Sequence, residues 1–476
     1  MTTRRGFLGR AGIAGGLFGA STLGRAGSPD QGLALEPLDP VTERLQVAIA
    51  AMPIDDTHCH PIGDRDAQTT PDGFIERIAL SAFPGPSYFP EGVYDRWHQG
   101  SAAVRAELDR QFGVGKTLGV INRQFESTVF FKYLLKELAG FLGCKPKLGE
   151  VIEARNARGK NYFSYIHDLF RDARIENAMI DTGYSDGLDA AGIRRFAEAI
   201  APTKARYIAR VETITEELFA ENLPYAELRD RYLARVRDAL DGTGNFGGRS
   251  YGMKSYLLPD IGLIKPLYED EPAAASWEEF RKTRTTIYPD RNDVTVRGKV
   301  LRERFLTIAL EECLVRDMPM QFHAGDGEAP SVTLRNQSPY NLEEVARFDR
   351  NGLLRMPKII PIHAGYPLVS EAAWLSHLYP NVYFETSLMT PFIHHGLLHR
   401  YLEMMEAVPL SKILFGSDAY NLPELYWLAA RWGKRYLARA LGVYVNGGLL
   451  DETEALEGAR LILHLNNRKV YNLAGG

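Results

Sequence analysis

Cysteine is scarce in this chain: three residues among 476, Cys59, Cys144 and Cys313, an odd number with no close pair. That excludes a disulfide-stapled scaffold, which would show more of them at tighter spacings. A long apolar run is missing too. The N-terminal stretch ending near Leu23 is rich in glycine and far shorter than the ~20 residues of a membrane span, and nothing comparable follows it. An excess of positive charge is also absent: 56 Lys and Arg stand against 60 Asp and Glu, a net charge of −4. Nucleic-acid binders carry a basic face, so the charge balance argues against nucleic acid as a partner. What remains is ordinary globular material, 45% hydrophobic and 24% charged, long enough for a large core and a small-molecule site.

The chain starts with Thr3-Arg4-Arg5-Gly6-Phe7-Leu8 and then a Gly/Ala-rich apolar run. Basic residues, a short apolar stretch and small residues, in that order, make a secretory signal. The paired arginines followed by Phe-Leu resemble a twin-arginine leader. The expectation is a leader over residues 1–28, export through the twin-arginine machinery and a periplasmic or otherwise exported protein. Removing Arg4, Arg5, Arg10 and Arg25 with no acid takes the mature chain to about −8. No Cys lies near the leader's end, which argues against a lipid anchor. Residues 29–44 read as a linker of Gly, Pro and acidic residues.

Beyond the linker, short apolar runs ending in polar residues alternate with helical stretches. The runs are Pro53–His60, Asn177–Thr182, Arg206–Glu212, Tyr251–Tyr256, Met320–His323, Lys358–His363, Asn381–Glu385 and Lys412–Asp418. Strand–helix alternation implies parallel strands with crossover helices. Eight such units predict an α/β fold, a (β/α)8 TIM-like barrel over residues 45–476, with its site at the C-terminal ends of the strands. Residues 61–174 exceed any simple crossover and read as a helical insertion between strands one and two. Pro259–Pro289 reads as a long acidic loop with little helix signal, and Glu452–Leu473 as a closing helix.

The chemistry-bearing residues fall at the ends of these runs. In Asp56-Thr57-His58-Cys59-His60, alternation places His58 and His60 on one face of the first strand and Cys59 on the other. Two imidazoles on one face can share a divalent ion, but a lone pair of this kind arises easily by chance. The fifth run ends Gln321-Phe322-His323-Ala324-Gly325, the sixth Pro361-Ile362-His363-Ala364-Gly365, and the eighth Phe415-Gly416-Ser417-Asp418. Each polar residue follows an apolar run and precedes small residues, where side chains converge at a barrel mouth. Arg210 and Glu212 end the third run, where either could bind a substrate or form an ordinary ion pair.

His-x-His on strand one, His on strands five and six and Asp on strand eight resemble the amidohydrolase superfamily. The flanking text is similar to its second, amidohydrolase-related family, in the branch of the amidohydrolase domain fused to glutamine-synthetase-like proteins. Ile180-Asp181-Thr182-Gly183-Tyr184, Phe322-His323-Ala324-Gly325-Asp326-Gly327, Phe415-Gly416-Ser417-Asp418-Ala419 with Pro423-Glu424, and Leu463-His464-Leu465-Asn466-Asn467 carry that likeness. It implies a divalent metal, most simply Zn²⁺, as one or two ions. His58, His60 and His323 would hold it, with Asp418 bound or adjacent and acting as the proton shuttle. His363 would stabilise an oxyanion or bind a second ion. Lys254, on the fourth run, would bridge two ions as a carbamate, pair with an acid such as Glu212, or point away. The expected activity is hydrolysis of an amide or ester C–N or C–O bond in a small molecule. Alternatives are a metal-dependent decarboxylase or other C–C lyase of the same family, and a non-catalytic periplasmic binding protein. Whether the chain forms a homo-oligomer is left open.

Overall fold

The computed structural model describes residues 38–473, apart from 83–87, 91, 94–95, 98–99, 186, 243–247, 284–290, 326–333, 348–355 and 394–395. The leader and the start of the linker lie outside the described residues. Among these, eight parallel strands run in sequence order: β1 (Ile54–Cys59), β2 (Ile175–Asp181), β3 (Lys204–Arg210), β4 (Ser250–Ser255), β5 (Met320–His323), β6 (Ile359–Ile362), β7 (Phe384–Glu385) and β8 (Ile413–Leu414). β1 to β6 form one continuous sheet and β7 pairs with β8. The ring closes on both sides. Ile359 N–H donates to Asn381 O and Tyr383 N–H to Ile359 O, at 2.8 and 2.9 Å, joining β6 to the β7 segment. Thr57 N–H donates to Phe415 O and His60 N–H to Ala419 O, at 2.9 and 3.0 Å, joining β8 back to β1. The expected (β/α)8 barrel is therefore the architecture found.

The barrel interior holds an apolar cluster. Met179, Ile208, Ile360, Ile362 and Leu414 come from β2, β3, β6 and β8 and pack on Val470 and Tyr471 of the chain's end. The six residues of β1 are all buried, acids included. Asp55 takes Asn177 Nδ2 at 2.7 Å and Arg468 Nε at 2.8 Å, which tethers the C-terminal helices to the first two strands.

Between β1 and β2 lie the helices Pro71–Ala82, Ala102–Phe112, Val114–Glu126, Val129–Leu142, Leu148–Gly159 and Tyr162–Ala173. They share a continuous hydrophobic core with the long helix Glu424–Asn446 that follows the eighth strand. No helix among the described residues is long and apolar enough to cross a membrane.

Four expectations need correction. The linker ends earlier than residue 44, because Asp39 caps a helix, Pro40–Ala50, by accepting from Val41 N and Thr42 N; the proline at the first helical position suits that start. Pro259–Pro289 contains helix: Leu257–Ile261 and Asp270–Thr283. The second of these starts with Asp270 and Glu271, which suit the positive end of the helix dipole, and buries Ala273 and Trp277. β3 ends at Arg210, so Glu212 belongs to the helix Val211–Phe219 and not to a strand. The closing segment is helical throughout most of its length, but as Glu452–Arg460, a π turn over Leu461–Leu465, and Asn466–Val470.

Candidate metal centre

The C-terminal strand ends bring the predicted residues together. His58 lies in β1 and His60 just after it; Asp181 ends β2, Arg210 ends β3, Lys254 is the penultimate residue of β4, and His323 ends β5. His363 follows β6 directly, Glu385 ends β7, and Asp418 sits four residues after β8. His58, Lys254, Asp181 and His363 are at most 2% exposed; His60, His323 and Asp418 are 4, 7 and 6% exposed.

Asp418 is the hub. Its Oδ1 lies 3.0 Å from His58 Nε2 and 3.2 Å from His60 Nε2, while its Oδ2 is 3.9 Å from His363 Nδ1. That Oδ1 is buried and has no hydrogen-bond partner, so neither imidazole contact has hydrogen-bond geometry. A buried carboxylate oxygen facing two ring nitrogens without a hydrogen between them is a donor set in want of a cation. The tautomer of His60 agrees. Its Nδ1 contacts two backbone carbonyls, Asp181 O at 3.2 Å and Tyr184 O at 3.0 Å. Carbonyls only accept, so Nδ1 carries the hydrogen and Nε2 presents its lone pair to the centre. Among the described residues, two groups have ligand atoms close enough to hold one ion: His58, His60 and Asp181, and His58, His363 and Asp418. His323 falls in neither; its Nδ1 instead meets His363 Nε2 at 2.9 Å, and its ring packs on Tyr256, with centroids 4.5 Å apart.

Lys254 points inward, with Nζ 3.2 Å from His58 Nε2 and 3.4 Å from Asp181 Oδ2. Its acid partner is thus Asp181 on β2. Glu212 turns elsewhere and accepts from Ser255 Oγ at 2.8 Å. Ser255 follows Lys254 in the strand, so alternation puts it on the opposite face. Asp181 also takes both Nε and Nη2 of Arg210. Burial opposes ionisation of Asp181, but Arg210 and then Lys254 hold its acid well below the usual carboxylate range. Burial, then Lys254, pushes the His58 imidazole down to about 4, so it is neutral and ready to ligate.

Backbone strain is concentrated here. Asp418 has φ +49°, and His363 and Ala364 have φ +71° and +56°. Such conformations disfavour side chains with a Cβ and persist only where surrounding contacts enforce them. For Asp418 the enforcing contacts are visible. Its N–H donates to His58 O at 2.8 Å, and the preceding Ser417 is clasped by Asp56, which accepts from Ser417 N at 2.9 Å and Ser417 Oγ at 2.5 Å. Gly416 is fixed by another acid: a Cβ there would fall 1.6 Å from Glu385 Oε1. Each letter of Gly416-Ser417-Asp418 thus has a structural cause. Asp56, Asp181 and Glu385 were not singled out from the sequence. The signals available were that Asp56 and Asp181 stand inside the segments Asp56–His60 and Ile180–Tyr184 and that Glu385 ends the seventh run.

The matches to known proteins agree with this fold. The sequence model of the family described as Amidohydrolase matches residues 287–473. Protein fluG of Emericella nidulans is 25% identical over 316 residues, 64% of this chain and 35% of that protein; the match thus spans about a third of the relative's length. A crystal structure from Lactobacillus casei ATCC 334, of a protein described as a metal-dependent hydrolase, superposes with TM-score 0.66 at 22% identity, covering 90% of this chain and 97% of that one. Glucuronate isomerase from Caulobacter crescentus superposes with TM-score 0.58 at 15% identity, covering 92% and 96%. Over residues 287–473 the chain is thus similar to the amidohydrolase family, and the barrel with its strand-end histidines and aspartate agrees with that likeness.

Proposed function

We propose that this protein is a metal-dependent hydrolase that cleaves an amide or ester C–N or C–O bond of a small molecule at the barrel mouth. The observation that carries the reading is the unpartnered Asp418 Oδ1 held 3.0 and 3.2 Å from two imidazole nitrogens. His58, His60 and Asp418 would hold the ion, with His363 or His323 completing the set. Zinc suits a nitrogen-and-carboxylate donor set of this kind. When bound, the ion supplies Lewis acidity that acidifies a water and polarises the scissile carbonyl.

The rest is done by the chain's own groups. Asp418 takes the water's proton and returns it to the leaving nitrogen or oxygen. His363 stands beside it, either as a donor to the developing oxyanion or as an acceptor. Lys254, with Nζ 3.4 Å from Asp181 Oδ2, pairs with that acid in this reading, which favours a single-ion centre. Arg210, anchored by Asp181 but 15% exposed at its side chain, offers its remaining N–H groups to an anionic part of the substrate. Glu212, buried against Ser255, is a wall residue in this reading. The resemblance of Arg4-Arg5-Gly6-Phe7-Leu8 to a twin-arginine leader supports an enzyme that works outside the cytoplasm.

The test is metal analysis of purified protein followed by an ester and amide panel with and without chelator. Bound divalent metal and activity abolished by chelation are expected. Full activity after exhaustive metal removal, or release of CO2 with no water consumed, would overturn the hydrolase reading.

A further inference from the structure

Arg210 ends β3 with one edge of its guanidinium occupied and another open. Its Nε, at 3.1 Å, and its Nη2 both donate to Asp181 Oδ2. A guanidinium is always charged and carries five N–H groups in one plane. Asp181 takes two of them, and among the described residues Nη1 has no hydrogen-bond partner. The side chain keeps 15% exposure, and Nη1 is not enclosed. One hydrogen on Nη1 and one on Nη2 point in parallel from the end of the group. That edge matches the two oxygens of a carboxylate.

The turn after β2 holds the edge in place. Asp181 Oδ1 accepts from Gly183 N–H at 2.8 Å, so the chain folds back over its own carboxylate. The arginine stem lies on Gly183: a Cβ there would fall 2.4 Å from Arg210 Cβ, 2.5 Å from its Cδ and 2.6 Å from its Nε. Gly183 is not in the left-handed region, so glycine is needed there for space and not for backbone conformation. Arg210 can lie against Asp181 in this way only while residue 183 has no side chain.

The open edge is also close to the candidate centre. A carboxylate oxygen of Asp181 lies within 4.8 Å of ring nitrogens of His58 and His60. β3 runs between β2 and β4, and Tyr184 and Tyr256 follow those two strands. The Tyr184 ring meets His60 with centroids 5.4 Å apart, and the Tyr256 ring meets His323 at 4.5 Å. A group gripped by Arg210 is therefore within a small molecule's length of a bond held at the histidines. One guanidinium already shared with Asp181 balances a single negative charge at most, which suits a carboxylate over a phosphate dianion.

We propose that Arg210, set by Asp181 and by the missing side chain of Gly183, determines specificity at the barrel mouth: its open edge grips a carboxylate of the substrate. The substrates are then small amides or esters that carry a carboxylate within a few bonds of the scissile carbonyl. The bond cleaved rests on the hydrolase reading; the carboxylate rests on Arg210 alone.

The experiment compares binding of N-acetylglycine and N-benzoylglycine with binding of their carboxamides, which match them in size but lack the charge. Isothermal titration calorimetry reads each affinity on the purified protein, with and without chelator. Wild type should bind at least one acid about 10–100-fold more tightly than its carboxamide, the range for hydrogen bonds to a charged group. Arg210→Gln should bring this ratio close to one. Arg210→Lys keeps a charge for Asp181 but has no second pair of parallel donors, and should lower the ratio. Gly183→Ala should lower it too, although it removes no donor. The ratio separates recognition from damage, because a loosened fold weakens acid and carboxamide alike. Wild type that binds neither acid, or binds acid and carboxamide equally, would overturn the proposal. So would an unchanged ratio in Arg210→Gln or, if that variant does not fold, in both Arg210→Lys and Gly183→Ala. A preference for the acid that Arg210 controls, with no amide or ester hydrolysed, would remove the hydrolase reading and leave the carboxylate site standing.

Discussion

Arg155 and Glu424 offer a measure of how firmly the helices inserted after β1 are joined to the barrel. Arg155 stands on the helix Leu148–Gly159 and Glu424 opens the helix after the eighth strand; both side chains are 0% exposed, with Nε and Oε1 2.5 Å apart. The guanidinium also donates to Asp66 O at 2.7 Å, and Tyr165 donates to the same Glu424 oxygen at 3.0 Å. The Phe74 and Tyr162 rings lie 5.5 and 5.7 Å from the Arg155 carbon. Arg155→Met should therefore leave Glu424 as an uncompensated buried anion and cost about 3–5 kcal/mol. Glu424→Leu leaves an unpaired buried cation and should cost about the same. The double variant replaces both charges with apolar groups and should be far better than the sum, so the coupling energy should be about 3 kcal/mol. Urea denaturation reads this directly, because Trp427 and Trp432 lie on the helix that Glu424 opens. A total stability of about 5–15 kcal/mol leaves the single variants folded enough to measure. Single costs below about 1 kcal/mol, or strict additivity, would refute the claim that the pair is buried and mutually dependent.

Asp418→Asn should keep metal content and folding but lower kcat at least about 10²-fold, the scale of losing a positioned acid–base group; near-wild-type kcat would remove Asp418 as the shuttle. Metal titration of wild type and Lys254→Ala should both saturate at one equivalent if Lys254 remains a cation paired with Asp181, whereas two equivalents falling to one would establish a carbamate bridge. Gly416→Ala should cost about 1–3 kcal/mol or more, since its methyl overlaps the Glu385 carboxylate and overpacking alone costs that much; wild-type thermal stability would show that the acid moves aside freely. Arg4→Lys combined with Arg5→Lys should trap precursor in the cytoplasm, and normal export of that variant would point to another route.

The periodicity of the chain determined much of this protein by itself. Short apolar runs alternating with helical stretches specify parallel strands, and eight of them specify a closed barrel, because only closure buries every strand edge. Strand alternation put His58 and His60 on one face, and the polar residues ending the fifth, sixth and eighth runs had to meet at the mouth. None of this needs knowledge of which strands are neighbours. Charge pairing does. Lys254 pairs with Asp181 rather than Glu212 because β2 ends at the barrel mouth with Asp181 turned to the centre, while Glu212 has already passed into a helix and turned toward Ser255. β7 is two residues long, too short for its own pattern to show which way Glu385 faces. Its contacts with Gly416, His363 and Ser387 show that its carboxylate lies behind the histidines. The helix Asp270–Thr283 was hidden in the same way: its mixed polar sequence has weak periodicity, and it is held by burying Trp277 and Ala273 against residues distant in sequence. Side chains that act through local spacing were legible from the chain alone. Those that act through partners on other strands were decided by tertiary structure, because a buried charge is stabilised only by the groups the fold sets beside it.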